Sequence, residues 1–193
     1  MAFSDGPVLA FDTSAAHCAA ALLLGDQVFT VAEQMGRGQA ERLMPMIQEL
    51  LDNKGINLSD LSRIGVGVGP GNFTGIRISV SLARGLALGL GIPAIGVSGF
   101  AALRHASGSD VVAIPGPRDT AYLLDHAGAP VIAPIADVPV GAVWPKSAES
   151  LVSSMTYISA AAAPGSPPPA PLYLRPADAA PARDLPPRIL DDA

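Results

Sequence analysis

The feature that most constrains how this chain can fold is the stretch of residues 64–97. Its first part, residues 64–68, alternates branched apolar residues with glycine, which is typical of a buried strand that a neighbour approaches closely. A turn rich in glycine and proline at residues 69–72 precedes a proline-free run, residues 74–90, with apolar residues at helical spacing. Residues 94–97 then read as a second short strand. This order predicts a strand–helix–strand crossover, and therefore an α/β fold.

Two polar segments in the first half of the chain each have two interpretations. The turn at residues 69–72 can present free helix-start amides to a phosphate, or it can need glycine only for its backbone angles. Asp12, Thr13 and Ser14, which follow the first predicted strand, can hold a metal-bound phosphate or hydrogen-bond their own backbone. Neither the P-loop nor the Rossmann pattern is present. The residues alone therefore favour the structural interpretation in both places.

Composition argues against several classes of protein. The chain has 193 residues and one cysteine, Cys18, so it has no disulfide framework and fits a reducing, cytoplasmic compartment. Its net charge of −5, without a block of lysine or arginine, argues against nucleic-acid binding by this chain alone. His17, His105 and His126 are scattered, so we expect no metal site. Proline and glycine interrupt the apolar run at residues 85–103, so we expect no membrane span.

The distribution of proline predicts how the chain is organised. Only four of nineteen prolines precede residue 110, and nine lie between residues 164 and 187. We therefore predict a compact first lobe over residues 1–106, a short second lobe over 107–163, and a proline-rich tail over 164–193 that docks in part. The periodicity predicts a three-stranded antiparallel meander at residues 8–12, 19–24 and 28–33, helices at 40–54 and 74–90, and a weak helix within 150–163.

Five segments carry a resemblance to a known family. They read LAFDTS at residues 9–14, ERLMPMI at 41–47, GVGPGNFTGIRI at 67–78, GLALGLGIP at 85–93 and LYLR at 172–175. Together they are similar to the TsaB (YeaZ) proteins, strongly over residues 8–103 and sparsely after that. The block that starts with GPG is specific because it follows the Asp-Thr-Ser strand at this distance.

The resemblance implies a fold and a function. The fold is the α/β, actin-like, sugar-kinase and Hsp70-type (ribonuclease H-like) fold of two lobes, here with a reduced second lobe. The function is that of a non-catalytic scaffold subunit in the tRNA threonylcarbamoyl transferase complex, which forms threonylcarbamoyladenosine next to the anticodon. The implied partners are a TsaD-like paralogue, which carries the metal-binding histidines and the transferase site, and a TsaE-like ATPase. tRNA would be bound only through the complex.

The same resemblance bears on the site residues. It implies no catalytic residue, no metal and no cofactor of this chain's own, with ATP or ADP bound only at the partner interface. Nucleotide- or anion-binding candidates are Asp12, Thr13, Ser14, Gly69, Gly71 and Thr74. Asn72 in place of the family's usual serine, and Gln39-Ala40 before the first helix, weigh against a nucleotide site. Two other functions stay open: an actin-like ATPase or kinase that uses Asp12 and the glycine loop, and a glycoprotease-like hydrolase.

The helices at residues 40–54 and 74–90 are expected to form an association surface. The second helix carries two apolar stripes, whereas a helix that covers a sheet needs only one. We expect the outer stripes to be buried against a second copy of the chain in isolation, and against the TsaD-like paralogue in the complex. The expected interface residues are Leu43, Met46, Ile47, Leu50, Arg77, Ile78, Leu82 and Leu86.

The glycines of the loop give a separate structural prediction. We expect at least one of Gly69, Gly71 and Gly75 to have a positive φ angle or to touch a neighbouring strand closely, because only glycine tolerates either without strain.

Overall fold

The structure is a computed structural model that describes residues 6–126 and 128–175. Its strands are β1 (Val8–Asp12), β2 (His17–Leu24), β3 (Gln27–Gln34), β4 (Arg63–Gly67), β5 (Ala94–Val97), β6 (Val112–Pro115), β7 (Thr120–Leu124) and β8 (Val131–Pro134). Its α-helices are α1 (Gln39–Asp52), α2 (Phe73–Leu90), α3 (Gly99–Ser107) and α4 (Ala148–Ala160). Short 3-10 turns lie at Leu58–Asp60 and Ile135–Asp137.

The strands form two sheets. The first has the order β3-β2-β1-β4-β5, with β1, β2 and β3 antiparallel and with β4 and β5 parallel to β1. The second has the order β6-β7-β8 and is antiparallel. The predicted meander, the two predicted helices and the crossover from β4 through α2 to β5 are therefore confirmed. The parallel pairing of β1 with β4 brings the ends of both strands, and the loops that follow them, to one edge of the sheet.

One face of the first sheet is covered by α1 and α2. In α1 the apolar residues recur at helical spacing and form one stripe, because charged residues such as Glu41 and Glu49 occupy the opposite side. A single stripe must face the sheet. Leu43, Met46, Ile47 and Leu50 are accordingly core residues, with exposures between 0% and 7%. The prediction that these four line a partner interface is wrong.

The opposite face of the first sheet is covered by α4. Small residues on this face let the helix lie close to the strands: a Cβ atom at Gly65 would be 2.3 Å from the Ser159 hydroxyl oxygen and 3.2 Å from the Met155 carbonyl oxygen. Val152 and Met155 are buried against the same cluster as Ala10. The sequence predicts only a weak helix here, because α4 is rich in serine and alanine. The structure instead makes it a central element of the second hydrophobic core.

Among the described residues, α2 is long and apolar enough to cross a membrane by length and composition alone. A helix that covers a sheet passes the same test. Ile76, Val80 and Ala83 form its buried stripe, in one core with α1 and the sheet. This packing is that of a surface helix in a globular domain.

Candidate functional site

The loop after β1 and the loop before α2 are locked together at the edge of the first sheet. The Asn72 amide donates to the Ser14 carbonyl oxygen at 2.6 Å, and the Thr13 hydroxyl donates to the Gly75 carbonyl oxygen at 2.6 Å. A Cβ atom at Gly75 would be 1.9 Å from the Thr13 carbonyl oxygen. Glycine is needed here because the two backbones touch.

The other two glycines of the loop are constrained in their own ways. A Cβ atom at Gly71 would be 2.1 Å from the Ser14 carbonyl oxygen, and Gly69 has a φ angle of 96°. The prediction that at least one of the three glycines has a positive φ or a close contact is confirmed. The backbone conformation and the close contacts within the chain are therefore enough to explain the glycines of this loop, without a bound phosphate.

The start of α2 already has a capping group from its own chain. The Asn72 side chain accepts a hydrogen bond from the Gly75 amide at 2.9 Å, which satisfies one of the amides that an anion would otherwise use. The Gly69 carbonyl oxygen accepts from the Gly99 amide at 2.9 Å. This loop is consequently built as a capped turn.

Asp12 is the most constrained polar group at this edge. It is 1% exposed, and its Oδ2 accepts hydrogen bonds from the Ser14 amide at 3.1 Å and the Ser14 hydroxyl at 2.9 Å. The same oxygen lies 2.8 Å from His17 Nε2. The other oxygen, Oδ1, is buried against Gly67 and has no hydrogen-bond partner among the described residues.

Asp12, Ser14 and His17 do not form a catalytic relay. In a nucleophile–base–carboxylate relay the hydroxyl bonds to the imidazole, and the imidazole bonds to the carboxylate. Here the hydroxyl and the imidazole both bond to the carboxylate, so the serine is not activated. This arrangement gives no support to the hydrolase interpretation.

A cleft of about 900 Å³ opens beside this edge of the sheet. Of the six nucleotide-site candidates, Asp12, Ser14, Gly71 and Thr74 line it, while Thr13 and Gly69 do not. His17 also lines the cleft and was not among the predicted site residues. The feature that could have identified it is the hairpin register, because His17 begins β2 close to where Asp12 ends β1.

The walls of the cleft come from several parts of the chain. The first sheet and its loops contribute the polar end around Asp12, and the remaining walls are mainly apolar. They include Ile114 and Tyr122 of the second sheet and residues 172–175 of the tail. The cleft is large enough for a small organic ligand.

Residues 169–175 return to the first sheet and reach α2. The Leu172 amide donates to the Val68 carbonyl oxygen at 2.7 Å. The Tyr173 ring lies 4.8 Å from the Phe73 ring, and the Tyr173 hydroxyl accepts a hydrogen bond from Arg77 Nε at 3.2 Å. The tail is thereby attached to the first turns of α2.

The outer face of α2 remains open. Leu88 is 86% exposed, and Arg77 is exposed as well. The other predicted interface residues on this helix, Ile78, Leu82 and Leu86, are half-buried beside the core. The outer face therefore keeps apolar side chains in contact with solvent.

Glycines form a shallow strip along the same face. Gly85 and Gly89 are exposed, and a Cβ atom at either would have no neighbour within 4 Å among residues 6–126 and 128–175. The backbone of α2 is therefore accessible along one side of the helix.

The outer face of α1 is polar in contrast. Arg42 forms ion pairs with Glu33 of β3 and, through Nη1 at 2.7 Å, with Glu49 of the same helix. These hydrogen bonds hold the pKa of both carboxyl groups below the usual range. Next to them, burial raises the pKa of the Cys18 thiol to about 11, so this cysteine is a buried apolar residue and not a nucleophile.

The chain is similar to known sequences over about half of its length. Residues 30–129 match the family model TsaD, tRNA N6-adenosine threonylcarbamoyltransferase. The chain is 42% identical over 91 residues to the tRNA threonylcarbamoyladenosine biosynthesis protein TsaB of Escherichia coli strain K12, and 38% identical over 100 residues to TsaB of Haemophilus influenzae. The alignments cover 47% and 52% of this chain but 39% and 42% of those proteins. The chain thus matches about two fifths of their length.

Solved structures extend the similarity to a larger share of the chain. YeaZ from Pseudomonas aeruginosa superposes with a TM-score of 0.63 at 31% identity, over 79% of this chain and 92% of that one. A protein from the same organism described as similar to peptidase YeaZ gives a TM-score of 0.68 at 28% identity, over 88% and 100%. With the sheet order above, these matches confirm the predicted α/β, actin-like fold class.

Proposed function

We propose that this chain, which belongs to the TsaB (YeaZ) family, is the non-catalytic scaffold subunit of the complex that makes threonylcarbamoyladenosine in tRNA. Its partner would be a TsaD-like paralogue that carries the transferase site, and a TsaE-like ATPase would join them. tRNA would be held by the assembly, because the chain itself has a net charge of −5. We place this assembly in the cytoplasm.

The observation that carries this proposal is the outer face of α2. Gly85 and Gly89 lie inside a helix, where each costs about 0.5–1 kcal/mol of stability relative to alanine. Neither glycine makes room for another part of the chain that the structure describes, since a Cβ atom at either position would have none of its heavy atoms within 4 Å. A helix from another subunit could approach the backbone there. Close packing against a partner would therefore explain why glycine occupies these two positions.

Apolar side chains on the same helix supply the driving force for such a contact. Leu88 is 86% exposed, and Ile78, Leu82 and Leu86 are only half-buried. Burying a leucine side chain contributes roughly 1.5–3 kcal/mol. We propose that α2 pairs with a helix of the TsaD-like paralogue in the complex, and with α2 of a second copy when the chain is alone.

The cleft is consistent with a subunit that does no chemistry of its own. Asp12 Oδ2 already accepts from Ser14 and contacts His17, and the cap of α2 is supplied by Asn72. These groups are engaged with one another. We propose that ATP or ADP is bound only where this chain meets its partner.

The test is a charge placed on the outer face of α2. Leu88→Glu should weaken binding to the TsaD-like paralogue by about tenfold or more, measured by calorimetry, because it buries a carboxylate in an apolar contact. The matched control is Val140→Glu, since Val140 is fully exposed in the loop before α4. Equal affinities of both variants and the wild type would contradict the proposal.

The cleft also supports a second candidate function, an actin-like ATPase or kinase. The supporting observation is the buried Asp12 in a cleft of about 900 Å³. This function predicts saturable ATP hydrolysis by the isolated chain that is lost in Asp12→Ala. The scaffold function predicts no turnover by the isolated chain in either form.

A further inference from the structure

Two arginines stand on the exposed side of α2, and neither has an acidic partner within the described ranges. Arg77 and Arg84 are both exposed, and neither forms an ion pair with any carboxylate among the described residues. They are seven residues apart, which is two turns and about 10 Å along the helix axis. α2 itself contains no aspartate or glutamate. The helix is therefore a local positive strip on a chain whose net charge is −5.

The first of these arginines is held in position by the tail. The Arg77 guanidinium carbon lies 4.2 Å from the centre of the Phe73 ring, and Arg77 Nε donates to the Tyr173 hydroxyl at 3.2 Å. This contact uses one of its three nitrogens, and the two terminal nitrogens have no hydrogen-bond partner in the described part of the chain. Because the side chain is already ordered, less conformational entropy is lost when a carboxylate binds to it.

The neighbours of the arginines indicate what binds there. Leu88 and Gly85 share the exposed side of the helix with Arg84. A phosphate backbone would gain nothing from an exposed leucine or from an accessible helix backbone. A helix with both apolar residues and carboxylates would match all of these features.

We infer that Arg77 and Arg84 select a partner helix that carries two carboxylates about two turns apart, and that Tyr173 of the tail is the positioning residue for Arg77. This inference rests on the function proposed above and names the chemistry of the partner surface. The tail thereby becomes part of the association surface, although Tyr173 lies 96 residues after Arg77 in sequence.

The first experiment measures binding of the wild-type TsaD-like paralogue to the full chain at low and at physiological salt. Arg77→Gln and Arg84→Gln should each weaken binding by up to about fivefold, and the double variant should lose most of the salt dependence of the association rate. Lys146→Gln is the matched control, because Lys146 is an exposed cation just before α4. It should leave both the affinity and the salt dependence unchanged.

The second experiment tests the positioning role of Tyr173. Tyr173→Phe keeps the ring on Phe73 and removes the hydroxyl that accepts from Arg77. It should weaken binding about twofold in the wild-type background and not at all in the Arg77→Gln background. A merely structural role would produce the same loss in both backgrounds, and would overturn the positioning role.

The outcomes separate this inference from the proposed function. If the wild type pairs and Leu88→Glu does not, but the arginine variants behave as the wild type at low salt, the charged contact is wrong while the scaffold function stands. If the arginine variants instead lose tRNA binding by the isolated chain, the strip contacts nucleic acid and the inference is overturned. If the wild type does not pair with the paralogue, both the function and the inference fail.

Discussion

At the scale of single residues, the most demanding positions are Gly71 and Gly75. Their Cα atoms lie against the carbonyl oxygens of Ser14 and Thr13, and this contact joins the end of β1 to the start of α2. The same contact fixes where the helix starts, because Asn72 is bonded to both sides of it. These two glycines are therefore stability determinants of the first sheet.

We predict that Gly75→Ala lowers the free energy of unfolding by on the order of 2 kcal/mol or more, because a methyl group cannot fit 1.9 Å from a carbonyl oxygen. Urea denaturation is the measurement. Gly85→Ala is the matched control in the same helix, and it should raise the free energy by about 0.5–1 kcal/mol. Equal effects of the two substitutions would show that the contact with Thr13 is not needed.

At single residues, the sequence predicts the close backbone contacts of the glycines but not the partners of the charged and titratable side chains. Glycine spacing pointed to close contacts at the loop, because few other causes put three glycines around a helix start. The pairing of His17 with Asp12 was missed, because it follows from the hairpin register of β1 and β2 and not from the histidine itself. The arginine of the same block, Arg77, gave no sign that its partner is Tyr173, 96 residues later.

At the scale of elements, the sheet decides which helix face is free. α1 has a single apolar stripe and uses it on the sheet, so the predicted interface residues of α1 became core. α2 has apolar residues around more of its circumference and can cover the sheet while leaving Leu88 outside. Periodicity located both helices to within two residues. Periodicity could not show which apolar stripe of a helix is buried against the sheet and which is exposed, because this depends on what each helix packs against.

A charged side chain of the first sheet adds hydrogen bonds to the apolar packing of the fourth helix. Arg63 of β4 donates through Nη1 to the Ser159 carbonyl oxygen at 3.3 Å and also to the Ala162 carbonyl oxygen. Both carbonyl groups lie at or just beyond the C-terminus of α4, where the helix dipole favours a cation.

Arg63→Met should therefore lower the free energy of unfolding by about 1–2 kcal/mol, because it keeps much of the side-chain volume and removes these hydrogen bonds. Amide hydrogen exchange should show the loss of protection first at the end of α4. Arg84→Met, at an exposed arginine without an ion pair among the described residues, should leave stability unchanged. A similar loss in both variants would mean that the contact with α4 contributes nothing.

At the scale of the whole molecule, different elements cover the two faces of the first sheet. One face packs in one core with α3, α4 and the second sheet, while the other is covered mainly by α1 and α2. Motifs that identify the family lie almost wholly in residues 8–103, where turns and close helix contacts impose particular residues. In the second sheet, the apolar runs at residues 111–114 and 122–124 predict the pair of β6 and β7, which the structure confirms. The third strand, β8, is not evident, because Pro134 and Pro139 interrupt the apolar run at residues 131–143.

The central claim is that the outer side of α2 is a surface for another subunit, and Gly85 tests it most directly. If the glycine is needed only for the partner, its substitution should change the two properties in opposite directions: the isolated chain becomes more stable, and its affinity for the partner falls. Gly85→Ala should stabilise the isolated chain by about 0.5–1 kcal/mol and yet weaken pairing with the TsaD-like paralogue, and Gly85→Leu should weaken pairing further while the isolated chain stays folded. The measurement is calorimetric titration of all three forms with the paralogue, beside their urea unfolding curves. If Gly85→Leu pairs with wild-type affinity, α2 is not the association surface and the account is contradicted.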